Sequence, residues 1–197
     1  MPTPMINLPA GTPVKTAIDV ATVDFVALIG ELQKKAFNGY VSIAVMGAGG
    51  IEEGTLVFDE GKIAASIYEY YKYNKLLQGE LAFPRVLNAS GAKKGVIDLF
   101  QLTAQQVQLF LAFNENSIFV PAEKDLKTLK VSEFSPFFEE QVKEEEKRDT
   151  KSDVIKKLKL EDLKKEEERI SEELEAVQST SGTSEEEDLL GDLQKTQ

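Results

Sequence analysis

Three runs decide the fold: Tyr40-Val-Ser-Ile-Ala-Val-Met46, Gly54-Thr-Leu-Val-Phe-Asp59 and Ile63-Ala-Ala-Ser-Ile-Tyr-Glu-Tyr-Tyr71. In the first, Val41, Ile43 and Val45 alternate with Tyr40, Ser42 and Ala44, the period-two signature of a strand with two different faces. The second and third are separated by Asp59-Glu-Gly-Lys62, in which Gly61 can take a positive φ at little cost, so they form a tight hairpin. Gly47-Ala-Gly-Gly50 breaks the chain between the first two. Three consecutive antiparallel strands, a meander, follow from this spacing.

Helical patterning surrounds the meander. Phe25, Leu28, Ile29, Leu32 and Ala36 recur on one helical face. Thr22 is placed to cap that helix, Asp24 to complement its dipole, and Asn38-Gly39 to end it. Val14 to Val20 suits an edge strand. Asn74 is expected to open a helix carrying Leu76, Leu77, Leu81 and Ala82. Pro84 lacks an amide donor, so a kink or restart is expected near Phe83. Lys94 to Gln101 is a fourth meander-type strand, Thr103-Ala-Gln-Gln106 is a capping box, and Ser117 to Val120 is a short last strand. The expected fold class is α+β, an antiparallel meander sheet with helices packed on one face.

Composition divides the chain at Phe138, its last aromatic residue. Residues 1–138 carry a net charge of −2, and residues 139–197 carry −9 of the total −11. The expected organisation is one domain over 1–138 and an acidic, aromatic-free tail over 139–197. In that tail, residues 152–178 have the composition of charged helices, 179–184 that of a flexible joint, and 185–193 an acidic–hydrophobic end piece. Phe134-Ser-Pro-Phe-Phe138 is expected to fold back and close the core rather than to act as a docking motif.

The chain contains neither Cys nor His. That removes a Cys nucleophile, a Ser–His triad, and the thiolate and imidazole ligands of zinc. No catalytic, cofactor-binding or metal-binding residue is assigned, and no cofactor is expected. The opening Met1-Pro-Thr-Pro-Met-Ile-Asn-Leu-Pro9 has no secretory pattern, and no run approaches the roughly 20 apolar residues of a membrane span. A cytoplasmic protein is the expectation. Net acidity disfavours nucleic acid and anionic lipid as partners. The Gly47–Gly50 loop lacks both Walker and G-x-G-x-x-G spacing, with Glu52 where the last Gly would stand, so it is a hairpin connection.

Tyr68-Glu-Tyr-Tyr-Lys-Tyr73 is the most unusual local sequence. Taken as a continuous strand, it puts Tyr68 and Tyr70 on one face and Tyr71 and Tyr73 on the other, so at least two rings reach the surface. Exposed Tyr suits a protein interface. Leu189, Leu190 and Leu193, at helical spacing in the acidic end piece, have the form of a helix-in-groove ligand. These seven residues are the candidate partner contacts.

The motifs Phe37-Asn-Gly-Tyr-Val-Ser-Ile43, Gly50-Ile-Glu-Glu-Gly-Thr-Leu-Val-Phe-Asp-Glu-Gly-Lys-Ile63 and Leu102-Thr-x-x-Gln-Val107 resemble an uncharacterised archaeal family typical of methanogens. The resemblance covers about Leu8 to Phe119. More distantly, the same G-x-L-x-F-x-x-G-x-I pattern is similar to the N-terminal domain of PatA-type bacterial response regulators. That likeness implies a signalling or protein-interaction module, and it supplies no catalytic residue. The expected function is a non-catalytic adaptor or regulatory module that binds other proteins. The rivals are a small-ligand binder or enzyme working through carboxylates, and an RNA-binding module.

Overall fold

The computed structural model describes residues 6, 8–122, 125, 133–148, 150, 166 and 169. Six strands, β1 (Thr12–Asp19), β2 (Gly39–Met46), β3 (Ile51–Asp59), β4 (Lys62–Tyr70), β5 (Lys75–Gln78) and β6 (Gly95–Gln101), form one antiparallel sheet in the order β1-β6-β2-β3-β4-β5. Helices α1 (Phe25–Lys34), α2 (Phe83–Ser90) and α3 (Ala104–Phe113) accompany it. The fold is α+β, and the meander expected from residue 40 onward is β2-β3-β4.

Local chemistry accounts for each junction. Glu60 and Gly61, with φ of 47° and 81°, make the two-residue turn between paired Asp59 and Lys62, the mirror-image turn that matches strand twist. Thr103 and Gln106 complete the reciprocal capping box of α3. Helix α2 restarts at Phe83 with Pro84 in its first turn, where a missing amide costs nothing. The cap of α1 is Asp24, which accepts from the Ala27 amide at 2.9 Å. Thr22, expected in that role, instead donates to the Asp19 carbonyl within a 3-10 turn over Val20–Thr22. The helix also stops early, and Ala36 rather than Gly39 takes the left-handed stop at φ 47°.

Three expectations fail for tertiary reasons. Residues 75–78 are strand β5 rather than helix, because Asn74 turns left-handed and the segment pairs with the edge of β4. β6 does not extend the meander. The chain crosses back through α2 and inserts β6 between β1 and β2. Ser117 to Val120 makes only a single bridge, Ala65 with Ile118, after a 3-10 turn at Glu115–Ser117.

The sheet separates two cores. On the first face, Val41, Ile43, Val45, Leu56, Phe58, Tyr68 and Tyr70 meet Phe25, Ile29 and Leu32 of α1 and Phe83 and Val86 of α2. On the second, Tyr40, Val57, Ala65 and Ile67 meet Val107 and Phe110 of α3. α3 therefore covers the face opposite α1 and α2, adding to the single covered face foreseen. The parity of β4 changes within the strand. Val57 pairs with Ala65 and Phe58 with Ile63, so Ala64 is an extra residue that sends Ile63 and Ile67 to opposite faces.

The compact unit runs through Glu145. Phe134 and Phe138 pack on the first core as expected, but the fold does not stop there. Helical residues 137–145 bury Glu139 and Val142, so the folded edge lies seven residues beyond the last aromatic. The second unit is Glu146–Gln197, in which the described residues 146–148, 150, 166 and 169 are helical. Leu189, Leu190 and Leu193, with the joint and end piece, lie outside the described residues.

Candidate functional site

The Tyr run does not form the surface that its strand reading implied. β4 ends at Tyr70, and Tyr71–Tyr73 is a 3-10 turn. Tyr68 and Tyr70 are buried against each other at 5.0 Å between ring centres, which corrects their assignment as partner contacts: neither is accessible. Tyr73 is half-buried and packs on the same core. Tyr71 alone of the four is open, at 49% exposure.

Tyr71 belongs to the second face of the sheet, at the end that α3 leaves uncovered. Its hydroxyl donates to Glu53 Oε2 at 2.6 Å, and Ser42 donates to Glu53 Oε1 at 2.7 Å. Glu53 pairs across the strands with Glu69. Desolvation, and then the neighbouring Glu53 charge, push the Glu69 carboxyl upward. Asp98 stands on the same face opposite Ser42 and accepts from the Ala17 amide at 2.6 Å. Around these acids lie Met46 and its cross-strand partner Ile51, 58% and 53% exposed, and Val96 opposite Ala44. By strand alternation Met46, Ile51 and Val96 share the face of Ser42 and Glu53. The result is an open sheet surface with apolar residues bordering a group of carboxylates.

The first face holds a buried polar network instead. Glu52, 3% exposed, accepts from the Tyr68 hydroxyl at 2.7 Å through Oε2, while its Oε1 has no hydrogen-bond partner. Burial raises its carboxyl to about 7, against the opposing hydrogen bond from Tyr68 and with the help of the Glu139 charge. Burial likewise drives Tyr68 and Tyr70 above the ordinary phenol range. Glu139, from the closing helix, accepts from the Gly49 amide at 2.9 Å and the Tyr73 hydroxyl at 2.8 Å, and Lys143 approaches it at 3.3 Å. Desolvation opposes its charge, but these bonds outweigh it and hold its carboxyl below the ordinary value.

The glycine-rich loop now has a specific reason. A β-carbon on Gly47 would collide with the Glu52 carboxylate, and one on Gly49 with that of Glu139. The sequence showed glycines close to Glu52, and glycine permits close backbone approach. What it lacked was the second acid, which arrives from 90 residues downstream. A separate cleft of about 340 Å³ is lined by Met46, Gly91–Lys94, Glu133 and Phe134, and holds neither Glu52 nor Glu139. No cluster of metal-ligating side chains occurs among the described residues.

Residues 6–114 match the family described as an uncharacterized protein conserved in archaea (DUF2226). The chain belongs to this family. The matched span covers all six strands and α1 to α3, including Glu52, Glu53 and Tyr71. It ends before Glu139, so the closing helix lies outside it. No curated protein and no solved structure matches the chain. No helix among the described residues is long and apolar enough to cross a membrane.

Proposed function

We propose that this archaeal family member is a cytoplasmic protein-binding module, an adaptor or regulator without catalysis of its own. The observation that carries the reading is the open end of the second sheet face. There Met46, Ile51, Tyr71 and Val96 leave large apolar area exposed beside Glu53 and Glu69. Apolar and aromatic contact area anchors interfaces, and complementary charge selects the partner. The matching partner is a protein surface with an apolar centre and a Lys or Arg placed to meet the carboxylates. The acidic Leu189, Leu190, Leu193 segment is proposed as a second contact.

A second reading, an enzyme or small-ligand binder working through carboxylates, is favoured by Glu52, whose raised carboxyl is the kind found at acid–base centres. Its position against Gly47, sealed from solvent, favours a structural use. RNA binding has less support, because the exposed Tyr71 ring lies beside acids and not in a basic groove.

The test compares the full chain with Ile51→Asp and Leu189→Ala/Leu190→Ala variants in affinity capture from native extract, followed by binding of the purified partner at increasing salt. The proposal expects a stoichiometric protein partner that Ile51→Asp loses while its unfolding midpoint stays unchanged. Equal capture by all three chains, or recovery of nucleic acid alone, removes the reading.

A further inference from the structure

Residues 134–145 lie over the first face as a strap with its own set of anchors. The Phe134 amide donates to the Gly91 carbonyl at 3.1 Å. Asn88 and Ser135 exchange reciprocal bonds of 2.9 and 2.8 Å. The Arg85 guanidinium stacks 4.8 Å from the Phe138 ring centre, and Lys75 pairs with Glu145 at 3.2 Å. At the middle, Glu139 and Val142 are almost wholly buried. Most of these anchors are polar and exchangeable with water, whereas the sheet beneath is held by a continuous apolar core.

The central anchor is electrically demanding. Glu139 enters charged, bonded to Gly49, Tyr73 and Lys143. It stands near a second buried carboxyl, Glu52, whose Oε1 has no partner. Two like charges in so dry a place repel strongly, and one proton between them removes the repulsion. The other groups acting on Glu52 are Tyr68 and Tyr70 from β4 and Lys143 from the strap itself, while Tyr73 of the 3-10 turn bonds Glu139 and Arg85 of α2 acts on Tyr68 and Tyr70. Tyr68, Tyr70 and Tyr73 are shifted upward, away from neutrality, and Lys143 upward as well, so Glu52 is the member of this group that changes charge near pH 7.

We propose that residues 134–145 form a proton-gated strap, closed while Glu52 carries a proton and Glu139 is charged, and released as Glu52 ionises. Release uncovers the apolar side of Tyr70 and Tyr73 and frees the Gly49 amide and Tyr73 hydroxyl that held Glu139. The sign follows from the protons bound. The closed state holds the Glu52 proton up to about pH 7, and opening takes the Glu139 charge away and admits water, so the proton is lost at lower pH, toward the ordinary carboxyl value. Closure therefore weakens as pH rises through that interval and levels off above it. Below the interval, protonation of Glu139 loosens the strap again, so closure is firmest in mildly acidic solution.

Hydrogen exchange of the full chain between pH 5 and 8, corrected for the intrinsic rate, tests this. Residues 137–145 are expected to exchange faster than residues 25–34 of α1 at every pH, and their protection to fall roughly tenfold or more across the range. In Glu52→Gln that fall disappears. A flat wild-type profile, an equal fall in Glu52→Gln, or exchange of the strap together with α1 overturns the proposal. Should Glu52→Gln fail to fold, a carbon-13 titration of the wild-type Glu52 carboxyl decides instead. Its midpoint must coincide with the loss of strap protection, and a midpoint near 4.5 overturns the gate.

Discussion

Replacing Glu52 with Gln keeps the shape of a buried side chain and removes its charge. Glu52 titrates near 7 in the fold against an ordinary 4.5. A folded-state value above the unfolded one means that the native chain keeps a proton which the unfolded chain has released. Stability is therefore lost as pH rises from about 4.5 and stops falling above about 7. At about 1.4 kcal/mol per pH unit the wild-type chain forfeits roughly 3 kcal/mol by pH 8, and under about 1 kcal/mol by pH 5. Gln forfeits none of this, but it buries an extra N–H beside Gly47 at a cost of about 1 kcal/mol. The two effects nearly cancel at pH 5. At pH 8 the charge effect wins, and Glu52→Gln is expected to be about 2 kcal/mol more stable than wild type. Urea unfolding followed by far-ultraviolet circular dichroism at pH 5, 6, 7 and 8 measures the difference. The chain has no His to titrate in this window, Glu139 is held below the ordinary carboxyl value and stays ionised across it, and the contribution of Glu69, on the opposite face, cancels between the two proteins. If the stability difference is the same at pH 5 and pH 8, the burial argument for Glu52 is wrong.

Other expectations concern the edges of the fold. Val142→Ala should lower stability by about 2 kcal/mol, and a chain ending at Phe138 should unfold at lower urea than one ending at Glu145, because Val142 is a core residue. Gly61→Ala places a β-carbon 2.6 Å from the Gln33 carbonyl at a φ of +81°, and should cost about 2 kcal/mol or more in the same assay. Thr103→Ala removes the hydroxyl that accepts from the Gln106 amide at 3.2 Å, and a loss of about 1 kcal/mol at the urea midpoint is expected. A loss below a few tenths of a kcal/mol would show that α3 is held by Val107 and Phe110 packing alone.

What was legible in the sequence was local. The alternation in β2, the Glu60-Gly61 turn, the Thr103–Gln106 box and the restart at Pro84 each depend on a few neighbouring residues, and each stands in the structure. The misplacements share a non-local cause. Lys75–Gln78 has enough Leu to suit a helix, but an unpaired edge of β4 offers it backbone partners that an isolated turn cannot. Lys94–Gln101 was recognisable as a strand, yet its neighbours depend on the path of α2 across the sheet. For the candidate site, the sequence offered Tyr68, Tyr70, Tyr71 and Tyr73 alike as contacts and did not show which pair is core. Their accessibility depends on the helices that cover the first face.

The sequence by itself determined an α+β chain built on an antiparallel meander, because strand period, turn chemistry and caps are written in side chains a few residues apart. It also determined that any chemistry here proceeds without Cys or His. Only the tertiary structure decided which side of each strand meets water, since the extra residue at Ala64 reverses the parity of β4 and α3 covers just part of the second face. It alone brought Glu139 to within reach of the Gly47–Gly50 loop, 90 residues back along the chain. A carboxylate's charge state follows from what surrounds it in space, and no spacing in the sequence specifies that.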